Sequence, residues 1–130
     1  KTLATENFIK LLRTHKNDFS GVIFLGNEFE SEVTERVCKE IEIPHINTLG
    51  NSLLDAAALI EKTCLYIGPD SGLGHIASAV KTRTISFFSV MSPERFRPWG
   101  NKTTCIAAHN NDARNISAAE VSDIINRDIL

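Results

Sequence analysis

The chain has 130 residues and a formal net charge of -2 at pH 7, with 42% hydrophobic and 23% charged residues. This length predicts a single domain spanning residues 1–130, and the lack of a basic excess argues against a nucleic-acid-binding surface. No apolar run approaches the roughly 20 residues of a membrane-spanning helix. The sequence also has no metal-ligand motif, so we expect neither a transmembrane segment nor a bound metal ion.

Three cysteines lie far apart in the chain, at Cys38, Cys64 and Cys105. Their odd number and the lack of a CxxC pair predict neither a disulfide framework nor a zinc site, and they favour a reducing compartment. Cys64 and Cys105 stand beside apolar residues in predicted strands. We therefore expect both of these thiols to be buried as small hydrophobic groups.

Short apolar runs alternate along the chain with segments of helical periodicity. In chain order they predict a helix at 5–13, a strand at 21–25, a helix at 30–41, a strand at 43–46, a helix at 52–61, a strand at 64–67, a helix at 73–80, strands at 84–88 and 104–107, and a helix at 117–125. In the second helix, Val33, Val37 and Ile41 recur every four residues, which predicts one buried stripe. Ser52 and Ser117 are the expected N-caps of the third and last helices.

Alternating strands and helices are typical of a parallel sheet that helices cover on both faces. The predicted fold class is therefore α/β, a doubly wound, Rossmann-like parallel sheet. In such sheets, ligands bind outside the carboxyl ends of the strands. The loops at 26–30, 48–52, 68–75 and 89–100 follow predicted strands and are the places to look for a site.

The loop at 68–75 has the strongest chemical signal, because it places Gly72 and Gly74 at the start of a helix. Glycines let the backbone turn sharply, and the first amides of a helix attract anions. Ser71 adds a hydroxyl, and His75 lies off the apolar stripe of the helix. The local sequence leaves two interpretations open, a well-capped turn with a surface histidine or a site for a phosphate-sized anion.

Two other loops carry polar or aromatic groups. In the loop at 26–30, a carboxylate, that of Glu28 or of Glu30, could accept hydrogen bonds from ribose hydroxyls, or it could simply stabilise the start of a helix through the helix dipole. The loop at 92–100 has two arginines and a tryptophan between prolines, which suits phosphate contact or stacking. It could equally be a surface loop whose tryptophan packs on the sheet edge.

These features together resemble glycosyltransferase family 9, the ADP-heptose:lipopolysaccharide heptosyltransferases. The resemblance rests on Asp70-Ser-Gly-Leu-Gly-His-Ile-Ala-Ser-Ala-Val, then Ile85-Ser-Phe-Phe, then Ser92-Pro-Glu-Arg and Pro98-Trp-Gly, in that order. The segments Gly26 to Glu30 and Ser52-Leu53 fit upstream. At the start of the chain, Lys1 and Glu6-Asn7-Phe8 fit the family's K-x-W-P-x-E-x-F pattern, but Leu3-Ala4 replaces its Trp-Pro.

The resemblance implies the carboxy-terminal, nucleotide-sugar-binding half of a two-domain GT-B glycosyltransferase. By position, the donor diphosphate would be bound by Ser71, Gly72, Leu73, His75 and Lys1. Asp70 would shape that loop, and Glu30 and Asn51 would contact the nucleoside. No metal or other cofactor is implied.

The resemblance also implies that the amino-terminal domain, which is not in these residues, carries the catalytic base and binds the lipopolysaccharide core acceptor. We therefore expect no catalytic residue in this chain and no sugar transfer by the chain alone. The expected location of the full protein is cytoplasmic, or peripheral at the inner membrane face. Heptose is the family's default sugar, although the sequence itself fixes neither the sugar nor the base.

Two alternatives compete with this interpretation. Half of a non-hydrolysing UDP-N-acetylglucosamine 2-epimerase would also carry Asp-Ser-Gly near a phosphate site, but it would continue with glycine and two acids where this chain has Leu73, Gly74 and His75. A non-catalytic nucleotide-binding α/β module is the second alternative. A receiver-like module would need an acidic cluster after its first strand, where this chain has Leu25-Gly26-Asn27-Glu28.

Overall fold

A computed structural model of the chain describes residues 3–69, 71–89 and 102–130. In chain order its helices and strands are α1 (Thr5–Thr14), β1 (Val22–Phe24), α2 (Ser31–Glu40), β2 (His45–Asn47), α3 (Leu53–Glu61), β3 (Tyr66–Pro69), α4 (Gly72–Ala79), β4 (Thr84–Phe88), β5 (Thr103–Ala107) and α5 (Ala118–Asp128). Single-turn 3-10 helices lie at Glu28–Glu30, His109–Asn111 and Ala113–Asn115. The order of elements is the alternation that the sequence predicts for an α/β fold.

The chain divides into two compact units. The first unit contains Thr5–Ser52 and the carboxy-terminal segment Ala118–Leu130. The second unit contains Leu53–Ser117 together with the start of the chain. Because the last helix returns to the first unit, two segments that are far apart in the sequence build that unit.

In the first unit, β1 and β2 pair in parallel, with Ile23 opposite Ile46. Its core is a cluster of buried aliphatic side chains with apolar neighbours packed against it: Ile9, Val37, Ile41 and Ile43, then Leu12, Phe19, Val22 and Phe24. This core draws on α1, α2, β1 and the connecting residues that precede β1 and β2. The parallel pairing brings the carboxyl ends of β1 and β2, and hence the loops that follow them, to one edge of the unit.

A buried histidine links α1 to α5 within the first unit. The imidazole of His15 is 3% exposed, with Nδ1 2.8 Å from Asp18 Oδ2 and Nε2 2.8 Å from Ser122 Oγ. A carboxylate can only accept, so in the neutral ring Nδ1–H donates to Asp18 and Nε2 accepts the Ser122 hydroxyl proton. Both ring nitrogens are therefore satisfied, as a buried polar side chain requires.

In the second unit, β3, β4 and β5 form a parallel sheet in that order. β4 lies in the middle, with Ile85 between Ile67 and Thr104, and all five of its residues are buried. Thr84–Phe88 could be predicted to the residue because strands buried on both faces are rich in apolar and β-branched residues, although the polar Thr84 and Ser86 are buried in it as well. The described strands thus form two parallel sheets, one in each unit.

Two burial expectations are wrong. Val33 is 52% exposed, whereas Val37, Ile41 and Thr34 are buried. Successive residues of an α-helix turn by about 100°, so a spacing of four residues drifts around the helix, and Val33 lies at the edge of a face that Thr34 completes. Cys64 is exposed because β3 begins two residues after it, and Cys105 is half-buried in β5.

Other ends of helices and strands differ from the predicted ones by one to three residues. α1 ends at Thr14, one residue later than predicted, and β2 covers His45–Asn47, all of whose residues are exposed. None of the helices in the described ranges is long and apolar enough to cross a membrane. The same residues contain no group of three or more histidine, cysteine or acidic side chains that could hold a metal ion.

Candidate functional site

The amino terminus of α4 leaves backbone donors open. Ser71 is the N-cap, with extended backbone angles of φ -158° and ψ 170°. Its carbonyl oxygen accepts from the amides of Gly74 at 3.2 Å and His75 at 3.4 Å. The amides of Gly72 and Leu73 come earlier in the first turn, where a helix offers no acceptor. These two N–H groups therefore have no acceptor among the described residues and could bind an external anion.

The space in front of this turn is empty of described atoms. A Cβ built on Gly72 would meet nothing within 4 Å, and both Gly72 and His75 are exposed. The Ser71 side chain makes no capping hydrogen bond to the helix. A hydroxyl, two free amides, an exposed imidazole and the positive end of a helix dipole thus share one turn, an arrangement that favours binding of a phosphate group.

Packing within the second unit fixes the orientation of the first turn of α4. α4 packs on α3, β3 and β4, with Ala77 fully buried and Gly74 also buried. At its far end, Val80 N–H donates to the Ile76 carbonyl, and buried Thr82 donates its hydroxyl to the Ile60 carbonyl at 2.9 Å. α4 follows directly on β3, so the open turn lies at the carboxyl edge of the parallel sheet, where ligands of such sheets bind.

In the first unit, hydrogen bonds join the loops that follow β1 and β2. The backbone N–H and the side-chain hydroxyl of Thr48 both donate to the Phe24 carbonyl, at 3.0 and 2.7 Å. Further out, the Gly50 N–H donates to the Gly26 carbonyl at 2.9 Å. The two loops therefore continue the pairing of the strands and form one surface.

Two glutamates fold onto the glycines of these loops. A Cβ on Gly26 would lie 2.5 Å from Glu30 Oε2, and a Cβ on Gly50 would lie 2.9 Å from both Cγ and Oε1 of Glu28. Both glycines also have positive φ, 151° and 86°, which side chains disfavour. Each carboxylate thus occupies a place that only glycine leaves free.

The turn that carries these glutamates is itself fixed. Asn27 caps the 3-10 helix Glu28–Glu30 by accepting from the Phe29 N–H at 2.9 Å. Phe29 projects into solvent with 97% exposure, so it is not the packing staple that a helix start can use. Glu28, Glu30 and Asn51 are all exposed, as groups that meet a ligand must be.

The structure places the predicted site residues in two groups. Ser71, Gly72, Leu73 and His75 lie together on the first turn of α4 in the second unit. Glu30 and Asn51 lie in the joined loops of the first unit. Lys1, Asp70 and the loop at 92–100 lie outside the described residues, so their predicted roles stay predictions.

Glu28 is a residue that the sequence did not single out. Its side chain contacts Gly50, which is 22 positions away in the chain, and that contact depends on the pairing of β1 with β2. The only sequence signal was the pair of acids around Phe29. A shallow groove of about 490 Å³ between α1 and α2, lined by Glu6, Ile9, Lys10, Arg13, Thr14 and Glu40, contains none of the predicted site residues.

Comparison with known proteins identifies the fold and the family. Residues 1–124 match the model of glycosyltransferase family 9 (heptosyltransferase). The chain superimposes on the solved structure of the E. coli heptosyltransferase WaaC with ADP with a TM-score of 0.86 and 18% sequence identity. That match covers 95% of this chain and 39% of WaaC, and it confirms the predicted Rossmann-like α/β fold.

Curated proteins similar to this chain are also named as heptosyltransferases. Lipopolysaccharide heptosyltransferase 3 of Escherichia coli K12 is 49% identical over 45 residues, which are 35% of this chain and 13% of that protein. The lipopolysaccharide core heptosyltransferase OpsX of Haemophilus influenzae is 29% identical over 86 residues, which are 65% of this chain and 25% of that protein. This chain therefore spans a quarter or less of these two relatives. Because the family model matches nearly the whole chain, the protein belongs to glycosyltransferase family 9.

Proposed function

We propose that this chain is the donor-binding part of a heptosyltransferase, and that the first turn of α4 binds the diphosphate of a nucleotide sugar such as ADP-heptose. The observation that carries the proposal is the open turn itself: among the described residues, the Gly72 and Leu73 amides have no acceptor and no atom lies within 4 Å of a Cβ on Gly72. WaaC, a structural neighbour, was solved with ADP. Membership of the family supplies the reaction class.

The chemistry that these residues would contribute is stabilisation of a leaving group. When the sugar is transferred, negative charge accumulates on the departing nucleoside diphosphate. The two amides, the helix dipole, the Ser71 hydroxyl and the His75 imidazole all place positive potential or donors there. Donors fixed by the fold before the reaction lower the barrier because they need no reorganisation. The proposal includes no metal ion and no other cofactor.

The joined loops of the first unit would bind the nucleoside. Glu30 can accept hydrogen bonds from the two ribose hydroxyls, because a carboxylate has two acceptor oxygens. Asn51, in the loop after β2, would approach the base. Carboxylates in these loops would repel phosphate, so this surface suits the uncharged nucleoside part of a nucleotide.

The complete reaction needs more than this chain. We propose that the full-length protein transfers heptose to the lipopolysaccharide core, in the cytoplasm or at the inner membrane face, and that its catalytic base and acceptor site lie outside these residues. The isolated chain should then bind nucleotide and transfer nothing. Membership of the family favours this function over the 2-epimerase and non-catalytic alternatives.

Calorimetric titration of the chain with ADP, AMP, UDP and GDP tests the proposal. ADP should bind more tightly than AMP, because the second phosphate adds charge at the open turn, and more tightly than UDP or GDP. His75→Ala should weaken ADP binding about tenfold, the effect of one hydrogen bond to a charged group. His109→Ala is the matched control, since His109 is also an exposed histidine. Equal affinity for AMP and ADP would contradict a diphosphate site.

A further inference from the structure

We infer that Glu28 determines the base specificity of the nucleotide, by accepting a hydrogen bond from the exocyclic amino group of adenine. This inference rests on the proposed function and extends it to a residue and a contact that the family resemblance does not supply. The evidence is the position of the Glu28 side chain against Gly50, in the loop that Asn51 continues.

Glu28 and Glu30 cannot serve the same group of the ligand. They lie two residues apart in a 3-10 helix, in which successive side chains point about 120° apart. Glu30 turns to Gly26 in the loop after β1, and Glu28 turns to Gly50 in the loop after β2. A nucleoside on this surface would therefore meet one carboxylate at its ribose and the other at its base.

The Glu28 carboxylate is available for such a contact. It is exposed, and among the described residues it has no hydrogen bond or ion pair. The backbone around it is nevertheless restricted, because the Asn27 cap fixes the turn and the Gly50–Gly26 hydrogen bond fixes the opposite loop. An acceptor carried on a fixed backbone discriminates better than one on a mobile loop, since less freedom is lost on binding.

A carboxylate at this position distinguishes bases that present a hydrogen-bond donor from bases that present an acceptor. It accepts from the adenine amino group, which has two N–H donors. In hypoxanthine a carbonyl oxygen replaces that amino group, and two acceptors facing each other repel. Sites built around a buried or fixed polar group reject an analogue that lacks the matching partner. Preference for ADP over inosine diphosphate is thus the signature of the contact.

Calorimetry with ADP and inosine diphosphate on the wild-type chain, Glu28→Ala and Glu30→Ala tests the inference. The wild type should prefer ADP about tenfold, as expected for one charged hydrogen bond. Glu28→Ala should remove most of that preference, whereas Glu30→Ala should weaken both nucleotides alike. Glu32→Ala, another exposed acid in the first turn of α2, is the matched control and should change neither affinity.

Each outcome bears on a distinct claim. If the wild type binds ADP but shows no preference, or if the preference survives Glu28→Ala, the inference about Glu28 is overturned and the proposed function stands. A preference that disappears in Glu30→Ala instead would overturn it in the same way. If the wild type does not bind ADP, the proposed function fails and this inference fails with it.

Discussion

The amide N–H of Gly50 donates to the carbonyl oxygen of Gly26 at 2.9 Å, and both glycines have positive φ. This bond extends the pairing of β1 and β2 into the loops beyond them. It also sets the two glycines where Glu28 and Glu30 fold onto them. One backbone hydrogen bond therefore organises the surface to which we assign the nucleoside.

Replacing Gly50 with alanine should disturb both stability and binding. At a φ of 86°, an L-residue pays roughly 1–2 kcal/mol, and the new methyl would displace the Glu28 side chain. We expect the free energy of unfolding to fall by about 1 kcal/mol in urea titrations, and ADP affinity to fall with it. Unchanged stability would show that the loop tolerates the strain by rearranging.

Gly72→Ala should weaken ADP binding without lowering the stability of the protein. A Cβ at this position meets no atom of the described residues within 4 Å, and alanine favours a helix over glycine by about 0.5–1 kcal/mol. The variant should be as stable as the wild type or slightly more stable in thermal unfolding. The methyl group would nevertheless occupy the space in front of the free amides, so ADP should bind more weakly. Full retention of ADP affinity would argue against phosphate at this turn.

Ser122→Ala should loosen the attachment of α5 to α1. It removes the hydrogen bond to the buried His15 Nε2 and leaves that nitrogen unsatisfied, which costs about 1–3 kcal/mol. Asn126→Ala, an exposed position on the same helix, should stay within about 0.5 kcal/mol. Chemical denaturation monitored by circular dichroism gives both values. Equal stability of the two variants would mean that the histidine contact contributes nothing.

The carboxyl group of Asp112 should have an unusually low pKa. The Arg114 side chain and its backbone N–H both donate to the carboxylate, and they lower the pKa of Asp112 from 3.8 to about 2. A lowered pKa in the folded state stabilises the protein above the unfolded value, and that stability is lost as the pH falls from about 4 to about 2. Carboxyl-carbon NMR should give a midpoint near 2 in the wild type, and Arg114→Gln should raise it. The same midpoint in both would refute the role of Arg114.

Elements with strong local patterns were predictable from the sequence. β4 is a short run rich in apolar and β-branched residues, and α4 begins at Gly72 with its apolar residues at helical spacing. The sequence was less informative where the exposure of a side chain depends on which other elements pack against it. Val33 fits the apolar repeat of α2 and is still exposed, because the position of the buried face depends on what packs against the helix. For Cys64, the error came from placing the start of β3 two residues too early.

The candidate site shows the same contrast between features set by local sequence and features set by long-range pairing. Open amides at α4 follow from a glycine-rich strand-to-helix turn, which is local and visible in the sequence. The contact of Glu28 with Gly50 joins residues 22 positions apart, and it exists only because β1 and β2 pair in one register. Long-range register is the information that periodicity does not contain.

The central claim is that the first turn of α4 binds the diphosphate of a nucleotide. The most direct measurement is an NMR titration of the 15N-labelled chain with ADP, with AMP as the comparison. The account predicts that the amide signals of Gly72 and Leu73 shift with ADP, shift less with AMP, and shift with ADP only at higher concentrations in His75→Ala. It is contradicted if ADP binds while the signals of Gly72 and Leu73 stay in place.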